Sequence, residues 1–337
     1  MFQSFLELLA LAVIPLSVFA SPIQSHHVQL PLPSRTIFQL EAGTWIENIA
    51  VRSNNDLLLT VLSTPDLYIF NPSLSKSSLL HTFPNATGLL GISETIPDVF
   101  AVIAGNFSLA TVTSSPGSYS VWQVDFRHNP SPAITKITNL PEAAFLNGMA
   151  TLPACPEKVL VSDTDLGLVW RLDTKTGAYE VAIQLPEMAP NPEKPIVEGI
   201  NGLRIFGPYL YFANSFNGLY RVLIDLEGNV IPGAKAELLA PSAPFMDDFA
   251  IDGRGNAWVA TNLGDTVLVV GRDGRSETVV GSNTTLTVAG DTAVGFGRGG
   301  EEGTLYVVTG GALGAPVNGT VTEGAKVVAV DTKGFSI

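Results

Sequence analysis

Five oxygen-bearing side chains, Glu47, Asn147, Asn201, Asp247 and Asp291, stand at matching places along a chain of 337 residues. Each opens an apolar stretch that reads as a strand: Trp45-Ile-Glu-Asn-Ile-Ala-Val, Phe145-Leu-Asn-Gly-Met-Ala-Thr-Leu, Ile200-Asn-Gly-Leu-Arg-Ile, Met246-Asp-Asp-Phe-Ala-Ile-Asp and Asp291-Thr-Ala-Val-Gly-Phe-Gly. Three carboxylates and two amides brought to one place suit a hard cation such as calcium. They equally suit the polar end of a pocket for a small organic molecule. Crowded carboxyls without a counter-ion hold their protons to higher pH, so one becomes an acid near neutrality. Asp248 follows Asp247 and is a further acid/base candidate. Asp163, Asn214, Asn262 and Thr309 end the next strands, where they back the first set or cap turns. Trp45, Phe245 and Met246 neighbour the set, as an apolar wall or as core. The bland alternative for all of these is turn formation and channel water.

Other chemistries fail on residue supply. The chain has four histidines (His26, His27, His81 and His128), none within a repeated segment, which argues against a histidine-based metal site or a Ser-His-Asp triad. It lacks the G-x-S-x-G elbow, H-E-x-x-H and the P-loop. Cys155 is the only cysteine, so an intrachain disulfide and zinc or iron–sulfur sites built on cysteines are excluded.

The elements that must position the five residues repeat about every 45–55 residues, the spacing of four-stranded propeller blades. Each copy runs from a polar residue through an apolar strand, a Gly/Asn/Asp turn, a second apolar strand and a third strand. The copy built on Thr87-Gly-Leu-Leu-Gly-Ile is the weakest and offers only Leu90 or Gly91 at the polar position. Ser34-Arg-Thr-Ile-Phe-Gln-Leu precedes the first copy and is expected to join the last blade, closing the ring and removing an exposed edge. The fold expected is all-β: a six-bladed β-propeller closed by an N-terminal strand, spanning 21–337. A two-domain β-sandwich is the rival. In a propeller the first strand of each blade lines the central channel, which brings the five residues to one mouth. The proline-rich stretch from Leu185 to Pro195 is a passive connection or a candidate lid over it, the passive loop being the favoured reading.

Composition sets the surroundings. Hydrophobic residues make up 46% and charged residues 15%, enough for a large core, as sheets covered on both faces require. The net charge of -13 repels phosphate backbones and anionic lipid, so nucleic acid is not an expected partner; a small-molecule substrate is, and oligomeric state is not readable. Residues 1–20 read as a signal peptide cut after Ala20, with Val18 and Ala20 as its small residues. The mature chain holds no stretch of the roughly 18 apolar residues that a membrane span needs. Sequons at Asn85, Asn106, Asn283 and Asn318 agree with a glycoprotein that is secreted or held in the lumen of the secretory pathway.

At these residues the chain resembles the senescence-marker-protein/gluconolactonase-like six-bladed propellers over about residues 36–337. In that family a Glu near the first inner strand, an Asn in an Asn-Gly-Leu segment and an Asp in an Asp-Gly-Leu-Ala-type segment bind a divalent metal, usually calcium. The resemblance implies those roles for Glu47, Asn201 and Asp247. Two positions depart: the family's Gly after the Glu is Asn48, and its Gly after the Asp is Asp248. The wording of Gly43-Thr-Trp-Ile-Glu-Asn-Ile-Ala-Val-Arg, Phe145-Leu-Asn-Gly-Met-Ala and Asp247-Asp-Phe-Ala is similar to a fungal secreted branch that includes hetero-Diels-Alderases of tropolone sesquiterpenoid pathways. That likeness implies a cofactor-free cyclase; the residues at the mouth would themselves supply Asp247, Asp248 and Glu47 as acid/base groups and Asn147 and Asn201 as hydrogen-bond donors that orient substrate oxygens. Trp45, Phe245, Met246, Asp291, Asn214 and Asn262 would contact substrate. The alternatives are a calcium-dependent lactonase and a non-catalytic binding propeller.

Overall fold

The computed structural model describes residues 28–127, 131–194, 196–242 and 244–337. The expected signal peptide, His26, His27, His128 and Pro195 lie outside the described residues. Six four-stranded antiparallel sheets form the six blades of a β-propeller, as the repeats predict. Their innermost strands are Ile46–Val51, Gly88–Glu94, Leu146–Leu152, Ile200–Phe206, Phe249–Ile251 and Asp291–Phe296. Each packs against the innermost strands of both neighbouring blades, so the ring is complete. Closure is by Ser34–Ala42, which pairs antiparallel with the chain's last strand, Gly324–Asp331. Among the described residues no helix is long and apolar enough to cross a membrane.

The core is divided among the blade interfaces. Six buried clusters fill the six gaps, for example Leu67, Phe83, Phe100 and Trp122 between blades 1 and 2, and Tyr211, Met246, Phe249 and Val259 between blades 4 and 5. Burial on both faces explains why strands such as Val99–Gly105 are apolar at every position rather than alternating.

A repeated irregularity positions the site. Strand pairing breaks between Ile46 and Asn48, Leu89 and Ile92, Leu146 and Met149, Ile200 and Leu203, and Asp291 and Ala293. In the fifth blade Asp247 and Asp248 stand just ahead of the short inner strand. Such bulges re-aim side chains and loosen pairing at strand ends. They set Glu47, Leu90, Asn147, Asn201, Asp247 and Thr292 as the equivalent positions around the channel. Asp291 is therefore one residue out of step with the alignment expected from sequence.

The inner strands approach too closely here for most side chains. A Cβ at Gly91 would lie 2.3 Å from the Asn147 carbonyl oxygen. One at Gly202 would lie 2.3 Å from Asp248 Oδ1. Gly91→Ala is accordingly expected to cost about 1–3 kcal/mol through overpacking, whereas Gly253→Ala, with no atom within 4 Å, stays near neutral. Urea denaturation of the two variants checks this; equal midpoints would show that the strands can part.

Candidate functional site

The channel mouth holds a cavity of about 770 Å³, counting its open entrance. Its floor is Glu47, Asn147 and Asn201, from the innermost strands of blades 1, 3 and 4, and Asp247, just ahead of the innermost strand of blade 5, joined by Glu198 and Asn262. Its walls are apolar: Trp45, Leu62, Phe107, Leu109, Val112, Phe145, Ile196, Phe245, Leu263 and Leu313. The described lining contains no Lys, Arg or His.

Hydrogen bonds fix each acid. Glu47 Oε2 accepts from the Trp45 indole at 2.6 Å, so the wall residue also orients the carboxyl. Asp247 Oδ2 accepts from Asn262 Nδ2 at 2.7 Å. Glu198 Oε2 accepts from the Ser215 hydroxyl at 3.1 Å, and Ser215 receives the Asn201 amide at 3.3 Å. Asn201 Oδ1 and Asn147 Oδ1 are both buried without a hydrogen-bond partner. The floor thus holds two unpartnered amide oxygens, and the Asn201 amide keeps a second N–H beyond the one given to Ser215.

Burial dominates the electrostatics. Desolvation pushes Glu47 up to about 7 against the opposing Trp45 hydrogen bond, with the charges of Glu198 and Asp248 adding to the rise. Glu198 is also pushed up to about 7 by burial. Asp247 is raised well above the usual carboxylate range, first by burial and then by the charge of Glu47. The floor therefore stores protons near neutral pH, the state of a general acid.

Four expected contacts lie elsewhere. Asp248 turns away from the cavity: its Oδ2 accepts from Asn48 Nδ2 at 2.8 Å and from Arg204 at 2.9 Å, and its Oδ1 from the Phe249 N–H at 2.7 Å. Its carboxylate is saturated and serves as a crosslink between blades 1, 4 and 5. Met246 is core between blades 4 and 5. Asn214 donates to the carbonyls of Glu187 and Ala189, both at 3.0 Å, and tethers the segment read as a passive connection or candidate lid. Asp291 is fully buried and accepts from the Thr261 N–H at 2.9 Å; its raised pKa comes from burial, not from the floor. Of the second rank, Asp163 caps the turn before its blade by accepting from the Ala144 and Phe145 N–H groups, and Thr309 accepts from the Lys326 N–H.

Glu198 was missed because it lies in a connection between blades rather than in a repeat. Its signal was its place three residues before Asn201, at the end of the proline-rich stretch. Phe107, Leu109 and Val112 were missed for the same reason: they belong to a hairpin, Phe107–Ser108 with Thr113–Ser114, inserted into blade 2.

No family model matches the sequence. A protein of Phoma sp provisionally named a hetero-Diels-Alderase is 32% identical over 317 residues, covering 85% of this chain and 89% of that one. A second so named, from Sarocladium schorii, is 31% identical over 342 residues, covering 90% of this chain and 85% of that one. Among solved structures, the calcium-binding protein regucalcin of Agrobacterium tumefaciens superposes with a TM-score of 0.61 at 15% identity, over 90% of this chain and 96% of that chain. A gluconolactonase of Xanthomonas campestris superposes with a TM-score of 0.58 at 13% identity, over 89% of each. At such identity the structural likeness carries the fold alone.

The pKa directions give a stability profile. Glu47 and Glu198 bind protons more tightly folded than unfolded, so unfolding releases them between their ordinary value near 4.5 and about 7. Stability is then greatest below that window and falls as pH rises through it. In a chelating buffer the melting temperature is expected to drop from pH 5 to pH 8, and Glu47→Gln to flatten the drop. A melting temperature that rises over this range would contradict the assignment.

Proposed function

The chain belongs to the hetero-Diels-Alderase family, and on that premise we propose that it is a cofactor-independent cyclase joining an oxygenated diene of the tropolone quinone-methide type to a terpene alkene. In such a cycloaddition one C–C and one C–O bond form from a C=C–C=O unit and a C=C unit. Nothing leaves and no oxidant is needed. Positioning is therefore most of the catalysis, because holding two π-systems in contact removes much of the entropic barrier. The observation that carries the reading is the pocket's division into an oxygen-rich, proton-holding floor and apolar walls. The unpartnered oxygens of Asn147 and Asn201 would accept from hydroxyl groups of the diene precursor. Glu47, raised to about 7, and Asp247, raised well above the usual carboxylate range, would donate to a departing hydroxyl, so that water leaves as the precursor gives up its ring hydroxyl proton and becomes the diene. Trp45 and Phe245 would exclude water from it.

One observation favours a second reading. Two unpartnered amide oxygens beside two carboxyls are the donor chemistry of a calcium site. Glu47, Asn147, Asn201 and Asp247 would hold the ion, which would polarise a lactone carbonyl.

The two readings separate in one assay. The chain from Ser21, given a hydroxymethyl-tropolone precursor and a terpene alkene, is expected to form a product whose mass is the sum of the two less water, at a rate unchanged by chelator. Glu47→Gln and Asp247→Asn are each expected to lower kcat about 100-fold or more. No product, together with chelator-sensitive lactone hydrolysis, would favour the calcium reading instead.

We also propose export and glycosylation. Asn85, Asn283 and Asn318 are exposed, whereas Asn106 is half-buried at the root of the inserted hairpin. Glycopeptide mapping from a secretory host is expected to find the first three occupied and Asn106 the least; an unmodified secreted chain would refute it.

A further inference from the structure

A groove lies beside the channel-mouth pocket, between the inserted hairpin of blade 2 and the segment that carries Ile196, Val197 and Glu198. The two cavities share Phe107, Val112, Phe145, Ile196 and Glu198 as a common partition. We propose that this groove is a second substrate compartment, taking an unsaturated hydrocarbon and opening onto the pocket across the partition of Phe107, Phe145 and Glu198. The proposal rests on the cyclase reading for the identity of the reaction, but not for the existence of the compartment.

The chemistry of the ligand follows from which polar groups are free. In the pocket, Asn147 Oδ1 and Asn201 Oδ1 have no partner, so a ligand there gains by bringing hydroxyl groups. In the groove each polar side chain already holds a hydrogen bond, Glu198 from Ser215 outside it. Thr111 and Thr113 share a hydrogen bond of 2.7 Å between their hydroxyls, and Ser114 donates to Asp165 Oδ2 at 2.7 Å. The groove's described lining also has no Lys, Arg or His to attract an anion. What it offers a ligand is the apolar surface of Phe107, Val112, Pro116, Phe145, Ile196 and Val197.

The hairpin is built to hold this surface in place. Phe107 exchanges hydrogen bonds with Thr87 through both its N–H and its carbonyl, and it stacks on Phe145 of blade 3 at 5.2 Å. Ser114 ties the other arm to Asp165, also of blade 3. At the tip Val112 adopts a φ of 51°, a left-handed conformation that a β-branched residue takes only under constraint, and its side chain is 48% exposed. Val197 faces the groove from the other side and is 51% exposed. Two exposed valines, one of them strained, add little to folding. Facing each other across a groove, they make a surface for something else to cover.

The test uses two probes on the chain from Ser21 in chelating buffer: tropolone for the pocket and the terpene limonene for the groove, both followed by saturation-transfer NMR. Limonene signals are expected to persist at saturating tropolone. Val197→Lys, an exposed position that lines only the groove, should weaken limonene at least tenfold and leave tropolone within twofold. Val112→Asn, which suits left-handed backbone better, should weaken limonene without lowering the melting temperature. Glu47→Gln should weaken tropolone alone. Displacement of limonene by tropolone, absence of limonene binding, or unchanged limonene affinity in Val197→Lys would each overturn the compartment. The cyclase reading fails separately: simultaneous binding with no coupled product would sink that reading and leave the groove standing, whereas wild-type product rates in Val197→Lys would sink the groove and leave the cyclase.

Discussion

Three carboxyls share one desolvated floor, and no basic side chain in the described lining neutralises them. Much else in the channel depends on that constraint. An ionised carboxylate in such a place is costly, so each acid must keep its proton, find a cation or be given hydrogen bonds. The protein supplies one side-chain hydrogen bond to each: Trp45 to Glu47, Asn262 to Asp247 and Ser215 to Glu198. One neutral donor lowers a pKa but does not cancel the cost of burial, which is why Glu47 and Glu198 settle near 7 rather than in the ordinary range. The floor is thus poised between holding protons and holding a cation, and the choice between cyclase and calcium-site chemistry is the choice between those two occupants.

The fourth acid shows what full compensation looks like. Asp248 is as deeply buried as Asp247 but receives the Arg204 guanidinium, the Asn48 amide and the Phe249 N–H. Asn48 and Asp248 are the two positions that depart from the gluconolactonase-like pattern, and they bond to each other. The two departures therefore meet in one hydrogen bond. Arg204 also lines the cavity at the far end of the channel. Asp247 and Asp248 are adjacent in sequence yet opposite in chemistry, because the irregular backbone ahead of the inner strand turns them to different sides.

The blades were legible because each repeats the same order of apolar strand, turn and apolar strand, and burial on both faces removes ambiguity about which positions are apolar. The polar ring was legible for the same reason at Glu47, Asn147, Asn201 and Asp247. It failed at Asp291, since a bulge inserts one residue without leaving a mark in the pattern of apolar residues, and Thr292 takes the equivalent place. Asn214 was placed by its position at the end of a strand, but position does not reveal that the Glu187 and Ala189 carbonyls would claim its amide. Glu198 and the 107–114 hairpin lie outside the repeat, and a reading built on periodicity has no register in which to place them.

Departure from the repeat is also what makes the site one-sided. Four of the six equivalent positions carry acids or amides; blade 2 carries Leu90, which is buried in the core between blades 2 and 3, and blade 6 carries Thr292, whose hydroxyl donates to the Ile46 carbonyl. Polarity is thus concentrated along blades 1, 3, 4 and 5, and it is blade 2 that bears the inserted hairpin with its apolar residues. A ligand entering this mouth meets oxygen atoms on the floor and hydrocarbon towards blade 2. A symmetric ring would bind a symmetric ion equally well from any side. An asymmetric one imposes an orientation on an organic molecule, and for a reaction in which positioning is most of the catalysis, that orientation is the chemical contribution the fold can make.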